Sequence, residues 1–298
     1  MRNYKIKLIG FDSMGTRAMA TVIDISGAKI FIDPGVSFAP KRYGLPPHPK
    51  ELERFEKHLD EVHKEVVDSD YIVITHYHRD HYLYRDGEEE YYRGKHLYIK
   101  HPEENINPSQ KIRAYVLLKK KNVKNLVKSL NIADGNRFTI DDNIVLEFSK
   151  PVPHGCEGTK LGYVVMAYIS CEDISILHAS DVQGPMNTKA KNFIIEKDPD
   201  ILIISGPPTY MEGRKISSKD VETSLANMKE IIGNTINLNT IILDHHLLRD
   251  LDYKERIRDL LVIAKKNNIR VLTAAEYCGK PVEQLEALRK KLWEEDRK

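Results

Sequence analysis

The sequence predicts an α/β protein of two packed sheets with helices on the outside, and three features predict it. Compact apolar runs of strand length alternate with stretches of helical periodicity along the chain. In each half the strands come first and the helices after, with no Gly-, Ser- or Pro-rich linker between the halves. The 298 residues are 41% hydrophobic and 30% charged, enough to bury a large core and far from a disordered composition. One domain spanning residues 1–298 is expected, with a helical basic insertion around 105–130.

The elements follow in order. Lys5 and Lys7 alternate with Ile6 and Leu8, a strand pattern. Residues 18–25 and 29–32 are apolar runs split by the Ser26-Gly27 turn, which reads as a hairpin. The second run stops at Asp33-Pro34-Gly35 and leaves Asp33 at its tip. Leu52, Phe55, Leu59, Val62 and Val66 then keep helical spacing, and residues 71–75 form a buried strand running into His76. Residues 82–95, rich in Tyr and Glu with Gly87 and Gly94, predict an exposed turn or hairpin, followed by a short strand at 96–100. Ile112, Tyr115, Val116, Val123, Leu126, Val127 and Leu130 mark a long helix, or two with a break. Strands follow at 144–148, 161–169 and 174–178. Strands at 201–205, 240–243 and 270–272 then alternate with helices at 217–232, 253–264 and 282–293, the first opened by a Ser217…Asp220 capping box.

Composition excludes several classes of protein. A net charge of +2 does not describe a dedicated polyanion binder. Cys156, Cys171 and Cys278 form no CxxC pair and give an odd count, so a disulfide framework is not expected and a reducing cytoplasm is the simpler setting. No apolar signal core follows the N-terminus, and no run of eighteen apolar residues predicts a membrane span.

Chemistry concentrates in Thr75-His76-Tyr77-His78-Arg79-Asp80-His81, directly after a buried strand. Residues i and i+2 of an extended chain point the same way, so His76 and His78 can hold one cation from one side. The turn that follows swings Asp80 and His81 toward a neighbouring position. Neutral imidazole suits zinc, and a carboxylate suits zinc, iron or manganese. Four such groups within six residues are not a chance feature of a chain with 12 His. Three His and one Asp cannot complete two sites. His154, in Val152-Pro153-His154-Gly155, Asp181, after the 174–178 strand, and His245, after the 240–243 strand, each lie at or past a strand end, where sites in layered α/β proteins form.

In chain order, Asp33, His76, His78, Asp80, His81, His154, Asp181 and His245 resemble the pattern of the metallo-β-lactamase superfamily, and Gly162-Tyr163-Val164 is similar to that family's strand after the third His. The likeness runs over nearly the whole chain and is greatest to uncharacterised archaeal members, more distantly to a lactonase branch. It implies a four-layer αββα sandwich with the site at one edge of the two sheets. It further implies His76, His78 and His154 on one metal, Asp80, His81 and His245 on a second, Asp181 bridging, and Asp33 behind a ligand. His246 stands as the alternative to His245; aligning Ile242-Leu243-Asp244-His245 with Val73-Ile74-Thr75-His76 favours His245, and Asp244 has no assigned role. The implied cofactors are two divalent ions, zinc first, with Mn2+ or Fe2+ as alternatives. Such a pair lowers the pKa of a shared water to about 7, and the hydroxide attacks a carbonyl carbon or a phosphorus of an ester, lactone or phosphoester. Asp80 and Asp181 are the candidate catalytic groups, able to accept or relay a proton besides ligating. Di-iron members of the fold carry Glu where this chain has His78, which speaks against redox chemistry.

Other residues carry less. His178 reads as a core histidine at a strand end and Cys156 as a small buried residue. Residues 109–130 hold Lys111, Arg113, Lys119, Lys120, Lys121, Lys124 and Lys128 without one acid. Lys119, Lys120 and Lys121 are therefore candidates to grip the phosphate of a small-molecule substrate or of a nucleic acid, against the plainer reading of a solvated helix face. The expected partner is a small molecule, phosphorylated in one version. The alternatives are a ribonuclease or other nucleic-acid phosphodiesterase, and a metal-binding protein without turnover.

Overall fold

In the computed structural model, which describes residues 4–140, 143–172 and 174–297, the chain builds two sheets packed face to face. The first holds β1 (Tyr4–Phe11), β2 (Met19–Ile25), β3 (Ala28–Ile32), β4 (Tyr71–Ile74), β5 (His96–Ile99) and β6 (Ser129–Ile132), side by side in chain order. β1 to β3 are antiparallel, joined at one end by the Ser26-Gly27 hairpin turn with both residues at positive φ. β3 to β6 are parallel, so each connection must cross over; α1 (Pro49–Asp68) makes the first crossing. His48 caps α1 and shares a capping box with Glu51, a use of this histidine that helical spacing alone does not reveal.

Then come β7 (Arg137–Ile140), β8 (Ile144–Phe148), the short ribbon of β9 (Val152–Pro153) and β10 (Tyr163–Val164), β11 (Ala167–Cys171), β12 (Ile174–His178), β13 (Ile201–Ser205), β14 (Thr240–Asp244) and β15 (Arg270–Leu272). The second sheet runs β15-β14-β13-β12-β11-β8-β7. Its first four strands are parallel to one another and the rest antiparallel, which mirrors the first sheet. α4 (Thr188–Lys197), α5 (Ser218–Asn234), α6 (Tyr253–Arg256) and α7 (Arg258–Lys266) carry its crossings, with α2 (Pro108–Tyr115) and α3 (Val123–Leu126) on the other side of the molecule and α8 (Ala274–Tyr277) and α9 (Leu285–Glu295) last.

Strand periodicity explains the layering. On β3, β4, β12, β13 and β14 the residues Ile30, Ile32, Val73, Ile174, Ile176, Ile201, Ile203 and Ile242 face the opposing sheet. Their neighbours Phe31, Ile72 and Ile74 meet Phe55, Leu59, Val62 and Val66 of α1, while Leu177, Leu202, Ile204, Ile241 and Leu243 meet Ile194, Met228, Ile231 and Leu260. Both faces of each central strand are covered over most of its length, which is why these runs are mainly apolar, with Lys29 and Ser175 at the partly exposed positions. Four layers, αββα, result, as the resemblance implies. Among the described residues no helix is long and apolar enough to cross a membrane.

Several expectations need correction. The basic segment takes the second of its two alternatives, two helices with a break: α2 passes into a π-type turn at 116–120, Asn122 breaks it at positive φ and α3 follows, but Leu130 lies in strand β6. Residues 82–95 form no hairpin; Tyr82, Leu83 and Tyr92 are buried, the last in a 3-10 turn that donates from its hydroxyl to the Leu83 carbonyl. The 161–169 strand is broken between β10 and β11, and the 253–264 helix is two pieces, α6 and α7. β7 and α4 leave no clear signal in the sequence, because Arg137–Ile140 is half polar and Thr188–Lys197 has only a weak apolar stripe.

Candidate metal centre

The parallel strands of both sheets end at one edge of the sandwich, and the loops leaving them hold the chemistry. Asp33 follows β3, His76 to His81 follow β4, Asp181 follows β12 and His245 follows β14. Asp33, Ser180 and His245 sit in the left-handed backbone region, sharp turns that a layered fold tolerates at its functional edge. Asp244 accepts from the amides of Ser13, His245 and Ala274, so this acid pins three chain segments and the turn at His245. Gly35 has no Cβ because one would fall on the backbone nitrogens of His81 and Tyr82; the loop after β3 thereby closes onto the histidine turn.

Asp181 is the centre of the constellation. Its Oδ2 lies 3.0 Å from His154 Nε2, 3.3 Å from His81 Nε2, 3.4 Å from His246 Nε2 and 3.7 Å from His76 Nε2, and its Oδ1 lies 3.4 Å from His245 Nε2. His245 Nε2 is 3.7 Å from Asp80 Oδ2. Yet His76 Nε2, His81 Nε2, His154 Nε2, His246 Nε2 and Asp181 Oδ1 are buried with no hydrogen bond of acceptable geometry. Four such nitrogens around one carboxylate, with one of its own oxygens, are anomalous for a folded protein, where buried polar atoms are paired. They fall into groups whose ligand atoms lie within 4.8 Å of one another: His76, His78, His154 and Asp181; Asp80, His81 and His245; Asp181, His245 and His246; and Asp33, His76 and His81. Imidazole nitrogens with a few carboxylate oxygens are the donor set of zinc, iron or manganese. The residues fit divalent metal.

Residues 18–218 match the family model described as the beta-lactamase superfamily domain. The chain belongs to that superfamily. Within it, the chain is 41% identical over 292 residues to a UPF0282 protein of Aeropyrum pernix, covering 97% of this chain and 98% of that one. It is 43% identical over 296 residues to a UPF0282 protein of Thermococcus gammatolerans, covering 96% and 94%. Among solved structures, the metallo-β-lactamase fold protein YhfI of Bacillus subtilis superposes with a TM-score of 0.54 at 13% identity, covering 91% of this chain and 95% of that one. The family and fold that the motif order implied are therefore those of this UPF0282 chain.

In this superfamily member every predicted ligand, from His76 to His245, borders the Asp181 centre, and His246 borders it too. Asp33 stands behind. Its Oδ2 takes His81 Nδ1 at 2.8 Å and the Thr75 hydroxyl at 2.7 Å, and its Oδ1 takes the Thr75 amide at 2.8 Å. Thr75 Oγ1 in turn lies 3.1 Å from His76 Nδ1 and can accept from it. One carboxylate thus orients two histidines, with Nε2 turned to the centre. Asp12 does the same for His245, whose Nδ1 is 2.7 Å from Asp12 Oδ2, and Asp12 is itself held by Arg249 Nε at 2.8 Å. The Gln183 side-chain amide nitrogen lies 3.4 Å from His154 Nδ1 and can donate to it.

Asp12 and Arg249 were missed. Asp12 had a signal, since it ends β1 as Asp33 ends β3; Arg249 had none, because its partner is 237 residues away. The basic candidates lie differently. Lys121 is engaged by Asp86 and Glu89, Lys120 lies over the Tyr115 ring, and of the same segment Arg113 reaches the motif, donating to the Tyr77 carbonyl at 3.1 Å. His178 donates to the Met19 carbonyl, the structural use expected, and Cys156 is part-buried.

Charge around the centre is tightly arranged. Burial alone would raise Asp181 and Asp80, but the surrounding histidines hold both carboxyls well below the usual range. Burial and the neighbouring His81 and His78 push His76 well down, and burial with the His154 ring brings His78 to about 3. His81 and His245 go the other way: burial works against their charged forms, but Asp181 together with Asp33 raises the first, and Asp181 with Asp12 brings the second to about 9. The centre thus gathers carboxylate oxygens and imidazole nitrogens whose charges are strongly linked.

Proposed function

We propose that the chain is a hydrolase that works through two divalent cations, zinc foremost with Mn2+ or Fe2+ as alternatives. His76, His78 and His154 would hold one ion, Asp80, His81 and His245 the other, and Asp181 would bridge. The observation that carries this reading is the ring of buried, unbonded nitrogens around the Asp181 carboxylate. Bound there, such ions supply Lewis-acid chemistry: they acidify water toward neutral pH and draw charge from a substrate oxygen.

The chain's own residues do the rest. Asp33 and Asp12 accept the Nδ1 protons of His81 and His245, which leaves each Nε2 lone pair facing the centre. His76, His81 and His245 are fully buried, so the floor of the site excludes water, while Asp80 and His78 lie toward solvent at its mouth. Asp80 is thus the carboxylate placed to accept a proton from an incoming water or to pass one on. Ser180, the serine beside Asp181, is bonded to Thr75 and Asp33, so in this reading the nucleophile is water, acting on an ester, lactone or phosphoester. Within the basic segment Lys121 is engaged by Asp86 and Glu89, so a nuclease reading would have to rest on the exposed Lys119 and Lys120.

The test is turnover by zinc-loaded protein against a lactone, an aryl ester and a bis-aryl phosphodiester. Turnover of one class, lost on chelation and in Asp181→Ala, is expected. Metal uptake with no hydrolysis in any class would leave a metal-binding protein, and hydrolysis that survives chelation would refute the metal reading.

A further inference from the structure

Helix α2 lies in the basic segment, yet its bonds lead to the metal centre. Asn107 caps it, accepting from the Gln110 amide, and Pro108 opens it. Ala114, with Leu117 and Leu118 of the turn that follows, buries it against the outer face of the first sheet. From there two side chains reach the backbone of Tyr77, the residue between His76 and His78. Gln110 Oε1 accepts from the Tyr77 N–H at 3.0 Å, and Arg113 Nη1 donates to the Tyr77 carbonyl at 3.1 Å. One helix thus holds both backbone polar groups of Tyr77.

The other end of Gln110 goes to the loop that carries His154. Its Nε2 donates to the Leu161 carbonyl at 2.7 Å, and the Asn107 side chain donates to the Lys160 carbonyl at 2.8 Å. One residue further on, the Gly162 carbonyl accepts from the His154 N–H at 2.9 Å. Gly162 lies at positive φ, and a Cβ there would stand 2.8 Å from Gln110 Nε2, so the glycine lets the loop close onto the amide. An N–H faces one end of the Gln110 amide and a carbonyl the other, which fixes its orientation. The side chain is 0% exposed. A backbone bond from the Val165 N–H to the Thr75 carbonyl joins the same two segments before the histidines begin, and Gln110 joins them between His76 and His78.

The rings so connected are those of His76, His78 and His154, whose centroids lie 4.6 to 5.2 Å apart. The other ligand set is held differently. Asp33 and Asp12 back the rings of His81 and His245 through Nδ1. Among the described residues no carboxylate backs His78 or His154 in that way, so the placement of these two rings comes from the backbone beneath them.

We propose that Gln110 is the positioning residue for one of the two metal sites: it sets the separation between the His76–His78 segment and the His154 loop, with Arg113 steadying the same segment. It touches neither metal nor substrate. The proposal rests on the dinuclear reading above and deepens it, because the two sites then depend on different supports and the basic segment gains a role in ion binding.

The experiment is zinc titration of the full chain against a competing chelator, with folding followed by circular dichroism. Each site is isolated first: His245→Gln leaves the ion of His76, His78 and His154, and His154→Gln leaves the ion of Asp80, His81 and His245. Adding Gln110→Leu, which removes both bonds, should weaken the first of these ions about tenfold or more. The second should change by no more than about twofold, as independent sites do. General loosening of the fold would weaken both alike, which separates positioning from a structural role. Arg113→Leu, at a half-buried position, should act on the same ion in the same direction, and it decides the matter if the Gln110 variant does not fold. Equal weakening of both ions, or of neither, overturns the proposal and leaves the dinuclear reading in place. A native chain that binds fewer than two zinc ions overturns the dinuclear reading, and the proposal with it.

Discussion

Asp33→Ala removes an acceptor on which much of the site edge depends. The carboxylate is fully buried and takes the Thr75 amide, the Thr75 hydroxyl and His81 Nδ1 at 2.7–2.8 Å. A buried donor left without its acceptor costs about 1–3 kcal/mol. Ser180 Oγ, 2.7 Å from Thr75 Oγ1, can take over the hydroxyl. Two donors, the Thr75 amide and the His81 ring, then stay orphaned, which makes the expected loss about 2–6 kcal/mol. Urea unfolding of the metal-free protein at neutral pH reads this directly. Zinc affinity should drop as well, by roughly 10–100-fold, because His81 loses the group that orients it. A variant that unfolds within about 0.5 kcal/mol of the native chain, as an ordinary surface substitution would, refutes the reasoning.

Three further outcomes are expected. Burial, with Arg54, Lys280 and Lys57 nearby, lowers His58 from 6.5 to about 3, so below pH 6.5 the unfolded chain binds a proton that the fold refuses. Stability should therefore fall as pH drops from 6.5 toward 3, by at most about 5 kcal/mol for this group, and the slope should flatten in His58→Gln; identical slopes in both proteins would contradict it. Asp12→Ala leaves Arg249 buried without its partner and should cost about 3–5 kcal/mol in urea unfolding, together with a loss of zinc affinity; a loss of stability without any change in zinc binding would limit Asp12 to a structural role. Gly35→Ala forces a methyl group onto the His81 and Tyr82 backbone and should cost about 1–3 kcal/mol or more, read by thermal melting, whereas an unchanged melting temperature would show that the loop yields freely.

What the sequence made legible was whatever is local. The cluster from His76 to His81 is contiguous, and strands β3, β4, β12, β13 and β14 are mainly apolar runs because both of their faces are covered over most of their length. Their ends pointed to Asp33, Asp181 and His245 once the motif order was seen, and His154 stood in a loop between two strands. Asp12 and Arg249 were not legible, since their meeting depends on the first sheet's edge lying against the turn after β14. The choice between His245 and His246 was open for the same reason: in the folded chain both rings reach Asp181, which no spacing reports. Leu130 was misassigned because a lysine-rich stretch with apolar residues at helical spacing continues past the break at Asn122 into β6.

Anomalous diffraction at the zinc edge from zinc-loaded crystals tests the central claim most directly. Two peaks on opposite sides of the Asp181 carboxylate, about 3.5–4 Å apart, one near His76, His78 and His154 and one near Asp80, His81 and His245, are predicted. A single peak, or peaks remote from Asp181, would contradict the account.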